Sequence, residues 1–173
     1  MIATTSRRSA GILLYRRVPV PDGSGVEVLV AFPGGPIWAR KPDAGSWSVP
    51  KGLVDPGESD WDAAQREYAE EIGSPVPDGT PIDLGEVRLK SGKTVVGFAV
   101  EGDLDTTTVV SNTFDLMWPP RSGRMQSFPE IDRARWFTPE VARAKLNPAQ
   151  APFVDRLLDA LDVPAAGSGS SSR

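Results

Sequence analysis

Two residue types that carry much of enzyme chemistry are absent from this chain of 173 residues, which contains neither cysteine nor histidine. The absence of cysteine excludes disulfide bonds and thiol nucleophiles, and the absence of both excludes Cys/His zinc sites. An imidazole general acid or base is excluded as well. Any catalysis therefore depends on carboxylates, amines, guanidinium groups, hydroxyls or a metal held by oxygen, and oxygen ligands favour Mg²⁺ or Mn²⁺.

The chain also lacks an excess of positive charge and any long apolar run. It carries 19 basic and 23 acidic residues, a formal net charge of −4, which argues against extended nucleic acid as a partner. No run approaches the roughly 18 apolar residues of a membrane span, and residues 1–10 lack the apolar core of a signal peptide. We expect a cytoplasmic protein, a monomer or homodimer, that does not contact a membrane.

Strand-like segments precede, separate and follow the predicted helices, which indicates a mixed-sheet α/β/α or α+β domain. Turn-forming residues 19–25 predict a hairpin between the first two strands. The predicted strands are 9–17, 26–32, 83–90, 94–101, 109–118 and 133–137, and the predicted helices are 60–72, 139–145 and 151–161. Ser59 and Gly73 suit the N-cap and C′ positions of the first helix. Residues 1–163 are expected to form one domain, and the Ala/Gly/Ser-rich residues 164–173 a flexible tail.

The first predicted helix carries a cluster of glutamates. Glu67, Glu70 and Glu71 are spaced i, i+3 and i+4, so their carboxylates share one helix face. Like charges at this spacing destabilise a helix by about 0.2–0.5 kcal/mol per pair, and a bound divalent cation would remove the repulsion. In isolation, such a cluster is also typical of a solvated acidic surface.

The residues around the cluster decide between these interpretations. Residues 52–74 read GLVDPGESDWDAAQREYAEEIGS and fit the pattern G-x5-E-x7-R-E-U-x-E-E-x-G-U, where U is a bulky aliphatic residue. All seven Gly, Glu and Arg positions match, whereas Tyr68 and Ser74 replace the aliphatic residues. This segment resembles the Nudix box. The matched positions are Gly52, Glu58, Arg66, Glu67, Glu70, Glu71 and Gly73.

The resemblance implies the Nudix α/β/α sandwich with a mixed sheet. It also implies a pyrophosphohydrolase that cleaves a phosphoanhydride bond in a nucleoside diphosphate derivative. By position, Glu67, Glu70, Glu71 and the Gly52 carbonyl would hold Mg²⁺, with Mn²⁺ as a substitute. These hard oxygen ligands suit either ion.

The resemblance assigns two further roles. Arg66 and Glu58 would form a pair that fixes the metal-binding carboxylates, since a planar guanidinium suits bidentate support of a glutamate. The attacking water would be activated by Glu67 or by a loop residue. Glu130 is similar to the extra loop glutamate of many Nudix enzymes, although a surface acid would also suit its position.

The sequence before the box bears on the substrate. Residues 47–52, WSVPKG, resemble the W-x-x-P-K-G segment of some dinucleoside polyphosphate hydrolases and MutT-like enzymes. This favours a dinucleoside polyphosphate or a nucleoside triphosphate. Lys51 is predicted to contact phosphate, and Arg40 is a loop cation suited to the same anion, although either side chain could simply be solvated. Trp38 and Trp47 are candidates for stacking on a base, with the core as the alternative location.

A second class of function stays open on sequence alone. A ligand-sensing module of the same fold would bind nucleotides without cleaving them, and such modules commonly lose box glutamates. Retention of every box glutamate in this chain favours the hydrolase.

Overall fold

The computed structural model describes residues 7–21 and 25–162, which form eight strands and three α-helices. The strands are β1 (Arg8–Val18), β2 (Gly25–Pro33), β3 (Lys51–Leu53), β4 (Ile82–Arg88), β5 (Thr94–Glu101), β6 (Thr113–Met117), β7 (Met125–Pro129) and β8 (Ile131–Phe137). The helices are α1 (Asp60–Ile72), α2 (Pro139–Lys145) and α3 (Ala151–Leu161). Short 3-10 helices lie at Trp38–Arg40 and Thr106–Thr108.

Six of the strands build one mixed sheet in the order β4-β5-β1-β2-β8. The sixth, β3, pairs with the N-terminal part of β1, on residues 9–11, whereas β2 pairs with its C-terminal part, on residues 15–18. The pair β1–β5 is parallel, and the other pairs of this sheet are antiparallel. Strands β6 and β7 form a separate two-stranded hairpin.

Helices cover both faces of the sheet, which confirms the predicted α/β/α sandwich with a mixed sheet. Side chains alternate between the faces along β1. Ala10, Ile12 and Leu14 pack on the side of α1, while Leu13 and Tyr15 pack on the side of α3. Because both faces are covered, β1 is buried from residue 9 to residue 15, as expected of a central strand.

The first helix begins and ends where its capping residues predict. The Ser59 hydroxyl accepts a hydrogen bond of 3.1 Å from the backbone N–H of Asp62. Gly73 adopts φ 90°, and its N–H donates to the Ala69 carbonyl, which stops the helix. The helices predicted at 139–145 and 151–161 have the same bounds in the structure. In the described ranges, no helix combines the length and apolarity that a membrane crossing requires.

Several sequence predictions differ from the structure. The strand predicted at 109–118 is shortened to Thr113–Met117, because the N–H groups of Val110 and Asn112 donate to the carbonyls of Ile72 and Glu70 at the end of α1. These bonds satisfy carbonyls that a helix end leaves free. Two strands were not predicted, β3 and the largely exposed β7. The predicted flexible tail, residues 164–173, lies outside the described residues.

Trp47 belongs to the core. Its side chain is 2% exposed and packs edge-on against Phe32 and Phe137, with ring centroids 5.4 and 5.2 Å away. The indole N–H donates to Asp43 at 3.0 Å. Trp47 thus occupies the alternative location, the core, and its role in stacking on a base stays a prediction. Trp38, in contrast, is 38% exposed.

The two tryptophans are therefore expected to respond differently to truncation. Trp47→Ala should lower the free energy of unfolding by about 3–5 kcal/mol, since it leaves a large cavity in the core. Trp38→Ala should lower it by less than about 1 kcal/mol. Chemical denaturation of both variants measures the difference, and equal losses would contradict the placement of Trp47 in the core.

Candidate active site

Carboxylates from α1 and from the turn between β7 and β8 face one hollow of about 360 Å³. Glu67, Glu71 and Glu130 line it together with Lys51 and Gly52. Glu130 is held in the turn by two backbone bonds, because its N–H donates to Asn112 and its carbonyl accepts from Gly34. Trp38 lines the same hollow, so folding brings together six of the predicted site residues from four separate parts of the chain.

Gly52 allows the acidic helix face to approach the backbone closely. A Cβ atom at this position would overlap the carboxyl group of Glu67. The first glycine of the box is therefore required for space, since any side chain would displace the carboxylate.

Arg66 ties the loop before α1 to the acidic face. Its guanidinium donates to both carboxylate oxygens of Glu58 at 2.9 Å, to Glu67 Oε1 at 2.8 Å and to the Leu53 carbonyl at 2.9 Å. The bonds from Arg66, with a further one from the backbone N–H of Asp55, lower the pKa of Glu58 to about 2. Arg66 and Glu58 are therefore in contact, in bidentate geometry, and their role in fixing the metal-binding carboxylates stays a prediction.

The carboxyl groups in the hollow are difficult to ionise together. Burial raises the pKa of Glu71 to about 8, although the Lys51 N–H donates to Glu71 Oε2 at 3.0 Å. Burial is also the largest cause of a raised pKa at Glu67 and Glu130, and the charge of Glu70 raises both further. A cation among these oxygens would offset both desolvation and repulsion.

These residues fit a hard divalent cation, because carboxylates and the Gly52 carbonyl supply only oxygen ligands. In the described part of the chain, no group of three acidic side chains is arranged so that it could hold a metal ion as it stands. Arg66 holds Glu67, and the Lys51 N–H holds Glu71. Glu70 lies at the margin, 38% exposed and 3.4 Å from Arg66. The metal roles of Glu67, Glu70, Glu71 and Gly52 stay predictions.

Lys93 joins the site although the sequence did not indicate it. Lys51 and Lys93 both line a second cavity of about 340 Å³ that also contains Glu71 and Glu130. Burial lowers the pKa of Lys51, and the charge of Lys93 lowers it further, while Glu71 and Glu67 oppose the shift. Two ammonium groups this close suit an anion with several negative charges.

Strand pairing explains how the two lysines meet. Lys51 pairs with Gly11 on one side of β1, and Thr94, the residue after Lys93, pairs with Arg8 on the other side. Nothing in the local sequence of the turn at residues 91–93 reveals this proximity, because it depends on long-range pairing.

Gln150 is a second residue that the sequence did not reveal. It is 1% exposed, and its Oε1 accepts from the Val49 N–H at 2.9 Å while its Nε2 donates to Ser48 Oγ at 3.0 Å. A buried amide with both ends paired fixes its neighbours in place. Gln150 thus anchors the segment that leads into Lys51.

The remaining substrate-binding predictions divide in two. Trp38 lines both the hollow and the second cavity, so its exposed ring is placed to contact a ligand. Arg40 lines neither of them and lies over the ring of Trp118, 5.9 Å from its centroid. The structure therefore brings Trp38 to the carboxylates, and Arg40 packs on the β6–β7 hairpin.

Comparison with known proteins shows the family. The model of the NUDIX domain family matches residues 2–157. The asymmetrical bis(5'-nucleosyl)-tetraphosphatase of Rattus norvegicus is 34% identical over 101 residues, which cover 54% of this chain and 64% of that protein. The protein of the same name from Sus scrofa is 33% identical over 87 residues, 49% of each chain. The match spans less than two thirds of either relative.

Solved structures agree with the fold. A Caenorhabditis elegans Ap4A hydrolase in a binary complex superposes with a TM-score of 0.59 at 20% identity, over 89% of this chain and 98% of that one. The NUDIX domain of Shewanella oneidensis NrtR, complexed with ADP ribose, gives a TM-score of 0.58 at 15% identity, over 89% and 87%. At these identities the likeness establishes the fold.

The raised pKa of Glu71 predicts how stability depends on pH without divalent metal. Its pKa rises from 4.5 to about 8 in the fold, so its contribution to stability is complete below pH 4.5 and is lost as the pH rises through 8. Glu71→Gln keeps an acceptor for the Lys51 N–H and carries no charge. In EDTA at pH 8.5 it should raise the free energy of unfolding by up to about 5 kcal/mol, with little gain at pH 4.

Denaturant titrations at the two pH values measure this effect. Exposed Glu140, in the first turn of α2, provides the matched control. Glu140→Gln should change the free energy of unfolding by less than about 1 kcal/mol at either pH. A Glu71→Gln variant without a pH-dependent gain would contradict the buried, unfavourable carboxyl group.

Proposed function

We propose, on the premise that this chain belongs to the NUDIX domain family, that it is a metal-dependent hydrolase of a phosphoanhydride bond in a nucleoside diphosphate derivative. The observation that carries the proposal is the hollow in which Glu67, Glu71 and Glu130 face Lys51. The carboxylates can bind a cation, and the ammonium group beside them can bind phosphate oxygens. Cleavage of a phosphoanhydride bond uses both kinds of group.

The substrate that these features favour is a dinucleoside polyphosphate, with a nucleoside triphosphate as the second candidate. The likeness to asymmetrical bis(5'-nucleosyl)-tetraphosphatases, at 34% identity over part of the chain, supports the first. Lys51 and Lys93 add two positive charges beside the carboxylates, which suits a chain of several phosphates.

The cation in this proposal is Mg²⁺, with Mn²⁺ as a substitute. Glu67, Glu70, Glu71 and the Gly52 carbonyl would hold it. When bound, such an ion neutralises phosphate oxygens and lowers the pKa of a bound water. Arg66 would keep the Glu67 carboxylate oriented through the bonds that it shares with Glu58.

The proton of the attacking water would pass to a carboxylate of the chain, Glu67 or Glu130. Arg66 already holds Glu67 Oε1 at 2.8 Å. Glu130 makes no ion pair within residues 7–21 and 25–162, and burial raises its pKa. A carboxylate that no cation holds is free to accept a proton from water, which favours Glu130 over Glu67. Lys51 would bind the phosphate oxygens and stabilise the departing group.

Phosphate release across a nucleotide panel tests the proposal. The panel holds diadenosine polyphosphates, nucleoside triphosphates, ADP-ribose and nucleotide sugars, each with Mg²⁺, with Mn²⁺ and with EDTA. We expect turnover of dinucleoside polyphosphates that EDTA abolishes and that Mn²⁺ partly restores. Binding of metal and nucleotide without turnover of any substrate would contradict the hydrolase and favour a ligand-sensing module.

Two glutamine substitutions separate the base from a metal ligand. Glu130→Gln should lower kcat by about 10²–10⁴ while metal affinity stays close to that of the wild type. Glu67→Gln should lower both kcat and metal affinity, because it removes a ligand oxygen. Activity titrated against Mg²⁺ and direct metal-binding calorimetry measure the two effects. A Glu130→Gln variant with unchanged kcat would assign the base to Glu67.

A further inference from the structure

The second cavity is continuous with the hollow of the carboxylates. The two share Lys51, Glu71, Glu130 and the ring of Trp38. Its volume of about 340 Å³ falls in the usual range of small-molecule pockets, about 300–1,000 Å³. A nucleotide whose phosphates lie on the shared charged residues therefore has its nucleoside at the entrance to this cavity. Its apolar lining includes Leu89 and Ile131, which suit the faces of a base.

Asn147 lines the cavity, and its side-chain amide contains both a hydrogen-bond donor and an acceptor. Its Oδ1 accepts from the backbone N–H of Ala149 at 3.0 Å. Because a backbone N–H can only donate, this bond fixes which end of the amide is oxygen. The Nδ2 group has no acceptor in the part of the chain that the structure describes. The free end of Asn147 is therefore its donor.

The neighbouring polar groups do not supply a matching acceptor. Gln150 has its oxygen bonded to the Val49 N–H and its nitrogen bonded to Ser48 Oγ. That Ser48 hydroxyl in turn donates to the Val49 carbonyl. Lys93 can only donate, and the Ser46 hydroxyl can do either. Among the side chains that line the cavity, Asn147 and Lys93 therefore leave donors for a ligand, whereas Glu71 and Glu130 supply acceptors.

This polarity discriminates between two classes of base. Guanine and thymine carry a carbonyl acceptor where adenine and cytosine carry an amino donor. An amino group placed against the Asn147 donor would leave two donors unpaired in a half-buried site, which costs affinity. We propose that this cavity binds the nucleobase of the substrate and selects bases with a carbonyl, such as guanine or hypoxanthine, over bases with an amino group at the same position.

This inference rests on the proposed function and is tested on the wild-type protein with hypoxanthine and adenine nucleotides, which differ at purine position 6. With Mg²⁺, kcat/KM should be at least about tenfold higher for inosine triphosphate than for ATP, and likewise for the diinosine over the diadenosine tetraphosphate. Equal values for the two bases, or a preference for adenine, would overturn the inference.

Substitutions at Asn147 connect the preference to this residue. Asn147→Asp keeps an oxygen for the Ala149 N–H and replaces the donor by an acceptor, so the preference should reverse towards adenine. Asn147→Ala should remove the preference. The ratio between the two bases is the readout, because the added carboxylate of Asn147→Asp also repels phosphate. A variant that keeps the wild-type ratio would overturn the role of Asn147.

Binding measurements separate this inference from the proposed function. Affinities for inosine triphosphate and ATP are measured by calorimetry in the presence of Mg²⁺, whether or not turnover occurs. Tighter binding of the hypoxanthine nucleotide without turnover would support the cavity and contradict the hydrolase. Turnover of both nucleotides with equal kcat/KM and equal affinity would support the hydrolase and contradict the cavity.

Discussion

The guanidinium of Arg66 holds the acidic face of α1 in its observed arrangement. Five hydrogen bonds from this one group reach Glu58, Glu67, Glu70 and the Leu53 carbonyl. Without a compensating charge, the crowded carboxylates would repel one another and spread into solvent. Arg66 also connects α1 to the loop that precedes it, so Gly52 and Glu67 stay in contact.

Strand β1 is the second element on which the site depends. Its N-terminal half lies between β3 and β5, so it carries Lys51 on one side and the start of β5, next to Lys93, on the other. Gly11 leaves the space for this arrangement, because a Cβ atom there would lie 2.7 Å from the Lys51 Cβ. Buried side chains on both faces fix the register of β1, since a slip of one residue would exchange them.

Local signals in the sequence were sufficient for the bounds of the helices. The bounds of α1 follow from Ser59 and Gly73. The contact between Arg66 and Glu58 is one that the resemblance to the Nudix box implies. Local signals were insufficient for β7, whose residues are largely exposed and show no alternation of buried and exposed positions. The two tryptophans also could not be assigned, because indole rings are found both in cores and at ligands.

The sequence by itself determined the type of chemistry available to this protein, since it contains the glutamates, the arginine and the glycine at their box spacing and neither cysteine nor histidine. Only the tertiary structure decided what surrounds that box. Lys93, Gln150 and Asn147 reach the site through strand pairing and through the packing of the segment before α3. Such contacts join residues far apart in the chain, and their energies depend on the burial and hydrogen bonding of the whole fold.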